Sequence, residues 1–215
     1  MSIVFGVSPS PFVRKVRVAL AEKNIAYEFK PVFPGDNDPA FRKMSPLGKI
    51  PAFKDGEHTL SDSSVICAYL ERVHPTPALY PTDPYDYARA LWFEEYGDSA
   101  LVQVTGPKVF FEKIVAPMFF KRATNQEVVD KAVQGEVPPI CEYLESQLTG
   151  DFFVGNRLSI ADIAIASPFA NYQHAGYAVD AKRFPKLAAF VKRMLGRPSF
   201  AACLEEDRKM LGLAA

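Results

Sequence analysis

The chain has 215 residues, enough for one large domain or two small ones with separate cores. Its 25 basic and 25 acidic residues give no net charge, which argues against general attraction to nucleic acid or to an anionic membrane surface. It has no signal-like leader and no apolar run near the roughly 20 residues of a membrane span. We expect a cytoplasmic protein that acts without a membrane or nucleic acid.

The cysteines give no sign of a disulfide framework or a metal site. There are three, an odd number, and they are widely spaced without a C-x-x-C pair: Cys67, Cys141 and Cys203. We expect ordinary free thiols and no metal.

A strand, a helix and a second strand are predicted at the start of the chain. Residues 3–7 form a short apolar run, and Ser10 and Pro11 suit the N-cap and first position of a helix. Apolar residues at helical spacing extend to about residue 23 and predict one buried face. The basic residues of this helix are expected to face water: Arg14, Lys15 and Arg17. Residues 27–30 alternate between apolar and charged types, which predicts a strand with one buried face.

A helical turn, a hairpin and a helix are predicted next. The turn covers residues 39–44. The Asp-Gly pair at residues 55–56 is a strong tight-turn signal, so residues 50–54 and 58–60 are expected to pair as antiparallel strands. A helix follows, capped by Asp62 or Ser63.

Four prolines between residues 75 and 84 predict a semi-rigid connector, because each removes a backbone donor and fixes φ. We therefore divide the chain into a first domain at residues 1–76, a linker at 77–85 and a second domain at 86–215. Beyond the linker the periodicity is helical.

The clearest helix start in the second domain lies at residue 160. Ser159 and Asp162 have the spacing of a capping box, and Leu158 and Ile163 have that of a hydrophobic staple. The helix is expected to begin at Ile160.

Three weaker signals place other helix ends. Thr124 with Glu127 resembles a second capping box. Two adjacent prolines predict a break or kink near residues 135–139. A helix at residues 184–195 is expected to end with Gly196 as its C′ residue.

Three motifs, in this order and spacing, resemble those of soluble glutathione transferases. They are Ser10-Pro11-Phe12, Gly48-Lys49-Ile50-Pro51-Ala52-Phe53, and the segment at residues 60–70. The likeness spans nearly the whole chain, since the connector and the helical second half also fit. It implies an α/β thioredoxin-like N-terminal domain of βαβ-ββα order, an all-α C-terminal domain, a homodimer, and a glutathione site at the seam. The Ser-Pro-Phe start looks most like serine-type members, as in the plant tau class and many bacterial relatives.

The resemblance assigns a role to the serine at the start of the first helix. Ser10 would donate a hydrogen bond to the sulfur of glutathione, with Ser8 as second choice. The remaining glutathione-binding candidates are Phe12, Lys49, Ile50, Pro51, Asp62 and Ser63. A cis Ile50-Pro51 bond, which the family implies, would leave the Ile50 backbone free to pair with a peptide-like ligand. Simple helix capping remains the alternative for Ser10, Asp62 and Ser63, and an ordinary trans bond is the alternative at Pro51.

One feature departs from the family pattern. Relatives commonly place a Lys or His about fourteen residues before the position of Ile50, to hold the glycyl carboxylate of glutathione. Here that region is the segment at residues 35–38, Gly-Asp-Asn-Asp. The candidate substitutes are Arg14, Lys43 and Lys49, of which Lys49 is best placed because it adjoins Ile50.

Aromatic residues are predicted to line an apolar pocket for the second substrate, although core packing would use the same residue types. The candidates are Trp92, Tyr96, Phe110 and Phe111, with Phe12, Phe119 and Phe120 in support. The predicted function is conjugation of the glutathione thiolate to a small hydrophobic electrophile without a metal. The alternatives are a glutathione-dependent isomerase or dehalogenase, although the Ser-Ser-Cys run of the isomerase class is missing, and a non-catalytic binding or regulatory module with the same fold.

Overall fold

The computed structural model describes residues 1–213 and contains a small α/β domain followed by a helical domain. The first domain comprises β1 (Ser2–Gly6), α1 (Pro11–Glu22), β2 (Tyr27–Pro31), α2 (Pro39–Met44), β3 (Ala52–Asp55), β4 (His58–Ser61) and α3 (Ser63–Val73). The α-helices of the second are α4 (Pro84–Tyr96), α5 (Val102–Val104), α6 (Ala116–Phe120), α7 (Gln126–Lys131), α8 (Val137–Gln147), α9 (Ile160–His174), α10 (Pro185–Leu195) and α11 (Pro198–Leu211). Three π-helical segments join some of these: π1 (Gly97–Leu101), π2 (Thr105–Val115) and π3 (Ala132–Glu136).

The four strands form one mixed sheet in the order β2-β1-β3-β4. β1 pairs in parallel with β2 across the α1 crossover and antiparallel with β3. The β3–β4 hairpin pairs Asp55 with His58, and its turn contains Gly56 at a φ of 57°. The left-handed backbone there is one that glycine adopts without steric cost. The predicted βαβ-ββα order and the hairpin are therefore confirmed.

Helix α9 forms the centre of the helical domain. Its residues from Ile160 to Tyr172 are all buried, and it contacts α1, α4 and α10. The predicted capping box is present: the Ser159 amide donates to Asp162 Oδ2 at 2.8 Å, and the Asp162 side chain also accepts from the Phe153 amide at 2.8 Å. Asp162 thereby fixes both the start of α9 and the chain segment before it.

A glycine allows α9 and the end of α4 to approach closely. A Cβ atom added at Gly97 would lie 2.8 Å from the carbonyl oxygen and 2.9 Å from the carbonyl carbon of Ala164. Real Cβ atoms do not approach backbone this closely, so a larger residue would push the two helices apart. Gly97 thus places the following residue, Asp98, against the first domain.

The structure corrects three predicted helix ends. The N-cap of α7 is Asn125, whose side chain accepts from the Val128 amide, whereas the Thr124 hydroxyl donates to the Glu112 carbonyl. Of the break or kink predicted near residues 135–139, the break does not occur, because π3 carries the helix from α7 into α8. The irregularity takes the form of the π-helical segment just before the two prolines, whose missing N–H groups interrupt the α-helical pattern. Gly196 caps α10 with a right-handed backbone, at a φ of −81°, so it is not a left-handed C′ residue.

The prediction that the basic residues of α1 face water is wrong. Arg14, Lys15 and Arg17 are 0%, 1% and 5% exposed. Each pairs with carboxylates of the helical domain, which packs directly on this face of α1. A charged helix face can be buried when the facing domain supplies partners, a condition that a single helix sequence does not reveal.

Candidate functional site

A cleft of about 1020 Å³ lies between the two domains. Its lining from the first domain comprises Val7, Pro9, Ser10, Pro11, Phe12, Phe33, Pro34, Ser45, Leu47, Lys49, Ile50, Ser61, Asp62, Ser63 and Ser64. Its lining from the second comprises Glu95, Asp98, Val102, Gly106, Pro107, Phe110, Phe111, Val115, Phe119, Phe120, Asn171, Met210 and Leu211. Most residues that the sequence singled out therefore meet at one place.

Ser10 lies in the cleft at the N-terminus of α1. Its backbone amide donates to the Val7 carbonyl, and its Oγ accepts a hydrogen bond from the Val13 amide at 3.4 Å. Within residues 1–213 the hydroxyl proton has no acceptor, so it is free to donate to a group in the cleft. The positive end of the α1 dipole also favours an anion at this point.

Ser8 lies two residues away in a different environment. It is 5% exposed, its hydroxyl donates to Asp207 at 2.6 Å, and its Oγ accepts from Arg17 at 3.1 Å. It does not line the cleft. Ser8 therefore lies in the contact between α1 and α11, outside the cleft lining.

The second and third motifs form adjacent walls of the cleft. The Ile50-Pro51 bond is cis, as the family resemblance implied, and Ile50 lines the cleft while Pro51 is buried behind it. Asp62 is the N-cap of α3, with a φ of 79°. Its carboxylate accepts hydrogen bonds from the backbone amides two and three residues further along the chain. Ser63 follows at the first helical position and is 3% exposed. Asp62 thus caps the helix and also lines the cleft.

A buried lysine links α1 to the end of α4. Lys15 Nζ donates to Glu94 at 2.9 Å and to Ser64 Oγ at 3.0 Å, and it pairs with Asp98, which lines the cleft. Burial by itself lowers the pKa of Lys15, but Glu94 and Asp98 outweigh it and hold the pKa above its ordinary value, so the ammonium is retained.

The same cluster perturbs the carboxyl group that faces the cleft. Burial raises the pKa of Asp98 to about 6, against the opposing effects of Lys15 and of the hydrogen bond from Ser64 at 3.3 Å. No sequence spacing indicated Asp98, because its position depends on the close approach of π1 to α9. Together with Asp62 and Glu95 it gives the cleft lining three carboxyl groups.

Of the three basic residues predicted as candidates to hold a glycyl carboxylate, one lines the cleft. Arg14 is fully buried and donates to Asp207 at 2.5 Å, so it is not available. Lys43 is exposed on α2 and does not line the cleft. Lys49 is exposed and is the one basic residue of the cleft lining within residues 1–213.

Apolar side chains cover the opposite wall and the mouth. Phe110 and Phe111 of π2 line the cleft as predicted, and the rings of Phe111 and Phe120 lie 5.7 Å apart. At the mouth, the Phe33 ring meets Phe119 edge to face at 6.5 Å. The lining also includes four residues without a sequence signal, which come from loops and from the end of α11: Phe33, Leu47, Met210 and Leu211.

Trp92 and Tyr96 are not brought to the cleft. The Trp92 indole donates to the Tyr143 hydroxyl at 2.7 Å, and the Tyr96 ring lies 4.8 Å from that of Tyr143. Both side chains point from α4 towards α8. Glu95 and Asp98, on the other side of the same chain segment, take the positions facing the cleft.

Comparisons with known proteins agree across both domains. Residues 4–78 match the family described as glutathione S-transferase, N-terminal domain, and residues 109–207 match glutathione S-transferase, C-terminal domain. The probable glutathione S-transferase parC of Nicotiana tabacum is 31% identical over 211 residues, covering 94% of this chain and 89% of that protein. The probable maleylacetoacetate isomerase 1 of Drosophila melanogaster is 31% identical over 191 residues, covering 86% and 74%. The solved structure of a glutathione S-transferase from Rhodospirillum rubrum F11 superposes with a TM-score of 0.86 at 26% identity, covering 94% and 91%.

A thioredoxin-like domain followed by an all-α domain, with one cleft between them, is the architecture of the glutathione transferase fold. With both of its domains matched, this chain belongs to the glutathione S-transferase family. It is a glutathione transferase, an enzyme that acts on glutathione and an electrophile.

Within residues 1–213, no group of three or more His, Cys, Asp and Glu side chains is arranged to hold a metal ion. None of the helices in that range has the length and apolar character needed to cross a membrane.

Proposed function

We propose that this enzyme joins the sulfur of glutathione to a small, uncharged, hydrophobic electrophile, with Ser10 as the residue that stabilises the thiolate. The observation that carries the proposal is the free Ser10 hydroxyl at the N-terminus of α1, directed into a cleft whose opposite wall is aromatic. Ser8, the other candidate, already donates its proton to Asp207.

The Ser10 hydrogen bond acts on the ionisation of the thiol. A free thiol has a pKa near 8.5, so only a few per cent is ionised at neutral pH. A hydrogen bond to a charged group is worth about 1.5–3 kcal/mol, which lowers the pKa of the bound thiol by about one to two. The thiol proton passes to water. The thiolate then forms a carbon–sulfur bond, and either a leaving group departs with the bonding electrons or the resulting carbanion takes a proton from water.

The remaining cleft residues bind and orient glutathione. Asp62 suits the γ-glutamyl ammonium, while the Ser63 hydroxyl and the amides at the start of α3 suit the carboxylate. The backbone of Ile50 precedes β3 and is placed to pair with the cysteinyl residue in the manner of an added strand. Holding both reactants in one cleft supplies the remaining rate enhancement.

Glutathione-dependent isomerisation is the second candidate. It is favoured by the similarity to a protein named as a probable maleylacetoacetate isomerase. The apolar wall of the cleft, including Phe110, Phe111, Phe119 and Phe120, favours conjugation of a neutral compound instead, because it offers no cation for an anionic second substrate. We also propose, from the family, a homodimer in the cytoplasm.

A thiol titration tests the role of Ser10. With glutathione bound, thiolate absorbance followed against pH should give a pKa about one to two below the free value, and Ser10→Ala should return it towards 8.5. Ser8→Ala is the matched variant. It should leave the bound thiol pKa unchanged but lower the free energy of unfolding by about 1–3 kcal/mol, because the buried Asp207 and Arg17 groups each lose a partner. A thiol pKa that rises in Ser8→Ala and not in Ser10→Ala would assign the role to Ser8.

A further inference from the structure

The turn that carries Ser10 is held by the helical domain. Pro9 and Pro11 flank Ser10, and neither of them has a backbone N–H to donate. Asn171 of α9 contacts this turn, since its Nδ2 donates to the Pro9 carbonyl at 2.9 Å. This hydrogen bond fixes the residue directly before Ser10 to a helix of the second domain.

Arg14 determines the orientation of the Asn171 amide. The Nη1 of Arg14 donates to Asn171 Oδ1 at 2.8 Å and to the Ser167 carbonyl at 2.7 Å. Because a guanidinium group only donates hydrogen bonds, the amide oxygen must face Arg14, which leaves the amide nitrogen for Pro9. Asn171 is 2% exposed and belongs to the cleft lining together with Pro9 and Ser10. Rotation of this amide would break two buried hydrogen bonds, so it has one orientation.

These contacts form a closed ring around the start of α1. Arg14 lies one helical turn after Ser10, and its backbone amide donates to the Ser10 carbonyl at 2.9 Å. From Arg14 the hydrogen bonds lead to Asn171, then to Pro9, which is bonded to Ser10. The backbone of Ser10 is therefore held on both sides. Since a hydrogen bond weakens with a poor angle or a longer distance, a shift of this backbone would weaken a bond from the Ser10 hydroxyl to a ligand.

On the basis of the proposed function, we propose that Asn171 is a positioning residue, which keeps the Ser10 hydroxyl in place to donate to a bound sulfur. It acts through the backbone of Pro9 and not by contact with the sulfur. Ser8 differs, because its side chain bonds to Asp207 of α11 and its removal leaves the bond between Asn171 and Pro9 in place. Loss of the Asn171 amide should therefore affect the thiol chemistry, whereas loss of the Ser8 hydroxyl should affect stability alone.

The pH dependence of the reaction of glutathione with 1-chloro-2,4-dinitrobenzene tests this role. Asn171→Ala should raise the bound thiol pKa by about 0.5 to 1, and so lower kcat about three- to tenfold at about pH 6.5. Above about pH 9 the thiol ionises without help, so the loss should shrink to less than about twofold. The KM for glutathione should stay within about twofold of the wild type, because the residues proposed to bind the tripeptide are unchanged.

Ser167→Ala is the matched control on the same helix. It removes a buried hydroxyl that donates to the Ile163 carbonyl at 2.8 Å, and it leaves the backbone carbonyl that accepts from Arg14. It does not alter the bond to Pro9. The thiol pKa, kcat and KM of this variant should match those of the wild type at every pH.

A double-mutant cycle with Ser10→Ala separates positioning from direct contact. If Asn171 acts through Ser10, Asn171→Ala should cause no further change of the thiol pKa in the Ser10→Ala background. Asn171→Asp keeps the oxygen that faces Arg14 and lacks the donor to Pro9, so it tests the same bond if the alanine variant does not fold. Its added charge acts in both backgrounds, and the difference between them measures positioning.

Two results would overturn the inference. One is an unchanged thiol pKa in the Asn171 variants, and the other is an equal change with and without the Ser10 hydroxyl. If Ser10→Ala alone leaves the bound thiol pKa at its wild-type value, the proposed function fails instead.

Discussion

Asp98 belongs both to the cleft and to a buried charge cluster. It contacts Lys15 and Ser64 on the first domain, and Glu94 shares the same lysine. The buried thiol of Cys67 also lies in the field of this cluster, where burial raises its pKa above the ordinary value. Protonation of Asp98 therefore changes the charge balance between the domains as well as the chemistry of the cleft.

The pKa of Asp98 predicts a dependence of stability on pH. Its value is about 6 in the folded chain and about 3.9 in an unfolded chain, so between these values the folded state binds more protons. The free energy of unfolding should then fall by roughly 2 kcal/mol from about pH 4 to about pH 6.5 through this group. Burial also raises the pKa of Asp162 to about 6, so this group changes the free energy of unfolding with pH in the same direction.

Urea unfolding of the wild type and of Asp98→Asn across this pH range measures the contribution of Asp98 to the pH dependence of the free energy of unfolding. The difference between the two proteins should change by roughly 2 kcal/mol over the range, and bound glutathione should reduce that change, because a nearby ammonium lowers the pKa of Asp98. Parallel curves for the two proteins would contradict the assignment.

Residues whose position in the cleft depends on neighbours in the chain were predicted from the sequence, and their functions stay predictions. Ser10, Ile50, Asp62 and Ser63 are defined by helix starts and a strand start, and all four line the cleft. Asp98 was not identified, and Trp92 was placed on the wrong side of α4. The direction in which a helical side chain points into a two-domain cleft is set by packing between distant segments.

At the scale of elements, local signals predicted the β3–β4 hairpin and the start of α9. Both depend on residues within a few positions of each other: the turn at Asp55 and Gly56, and the cap formed by Ser159 and Asp162. The π-helical segments were not predicted, because the wider i→i+5 pattern arises where a long helix adjusts to its neighbours. One of these segments, π3, lies where the break or kink at residues 135–139 was predicted.

Two glycines in π-helical segments allow a test of the close contact at α9. Gly97→Ala should lower the free energy of unfolding by about 1–3 kcal/mol, because the new Cβ would lie 2.8 Å from the Ala164 carbonyl oxygen. Gly135→Ala has no atom within 4 Å of its new Cβ and should raise stability by up to about 1 kcal/mol, as alanine is the better helix former. Denaturant unfolding measures both. Equal effects of the two substitutions would show that helix propensity, and not the contact, determines the result.

At the scale of the molecule, α1 joins the two domains through its charged face. Arg14, Lys15 and Arg17 reach Asp207, Glu94 and Glu206, and Glu22 at the helix end pairs with Arg197 at 2.8 Å. The same helix presents Ser10 to the cleft. The periodicity of α1 assigned these cations to solvent because it describes one helix, whereas their partners lie about 80 to 190 residues further along the chain.

Replacing Arg14 is the most direct way to break the ion pairs between α1 and the helical domain. It is fully buried and donates to Asp207, to Asn171 Oδ1 at 2.8 Å and to the Ser167 carbonyl at 2.7 Å. The pKa of Asp207 is lowered to about 2, since Arg14, His174 and Ser8 together outweigh the effect of burial. Without Arg14, an ionised carboxylate would remain buried between the domains.

Arg14→Met should therefore lower the free energy of unfolding by about 3–5 kcal/mol, the typical cost of removing one partner of a buried pair. The fluorescence of Trp92, the single tryptophan, reports on the helical domain, and far-ultraviolet circular dichroism reports on both domains. In the wild type the two signals should change together, because the buried pairs couple the domains. Arg72→Met, at an exposed position of α3, is the control and should stay within about 0.5 kcal/mol of the wild type. If Arg14→Met is no less stable than Arg72→Met, the charged face of α1 does not hold the domains together, and apolar packing against α9 must do so.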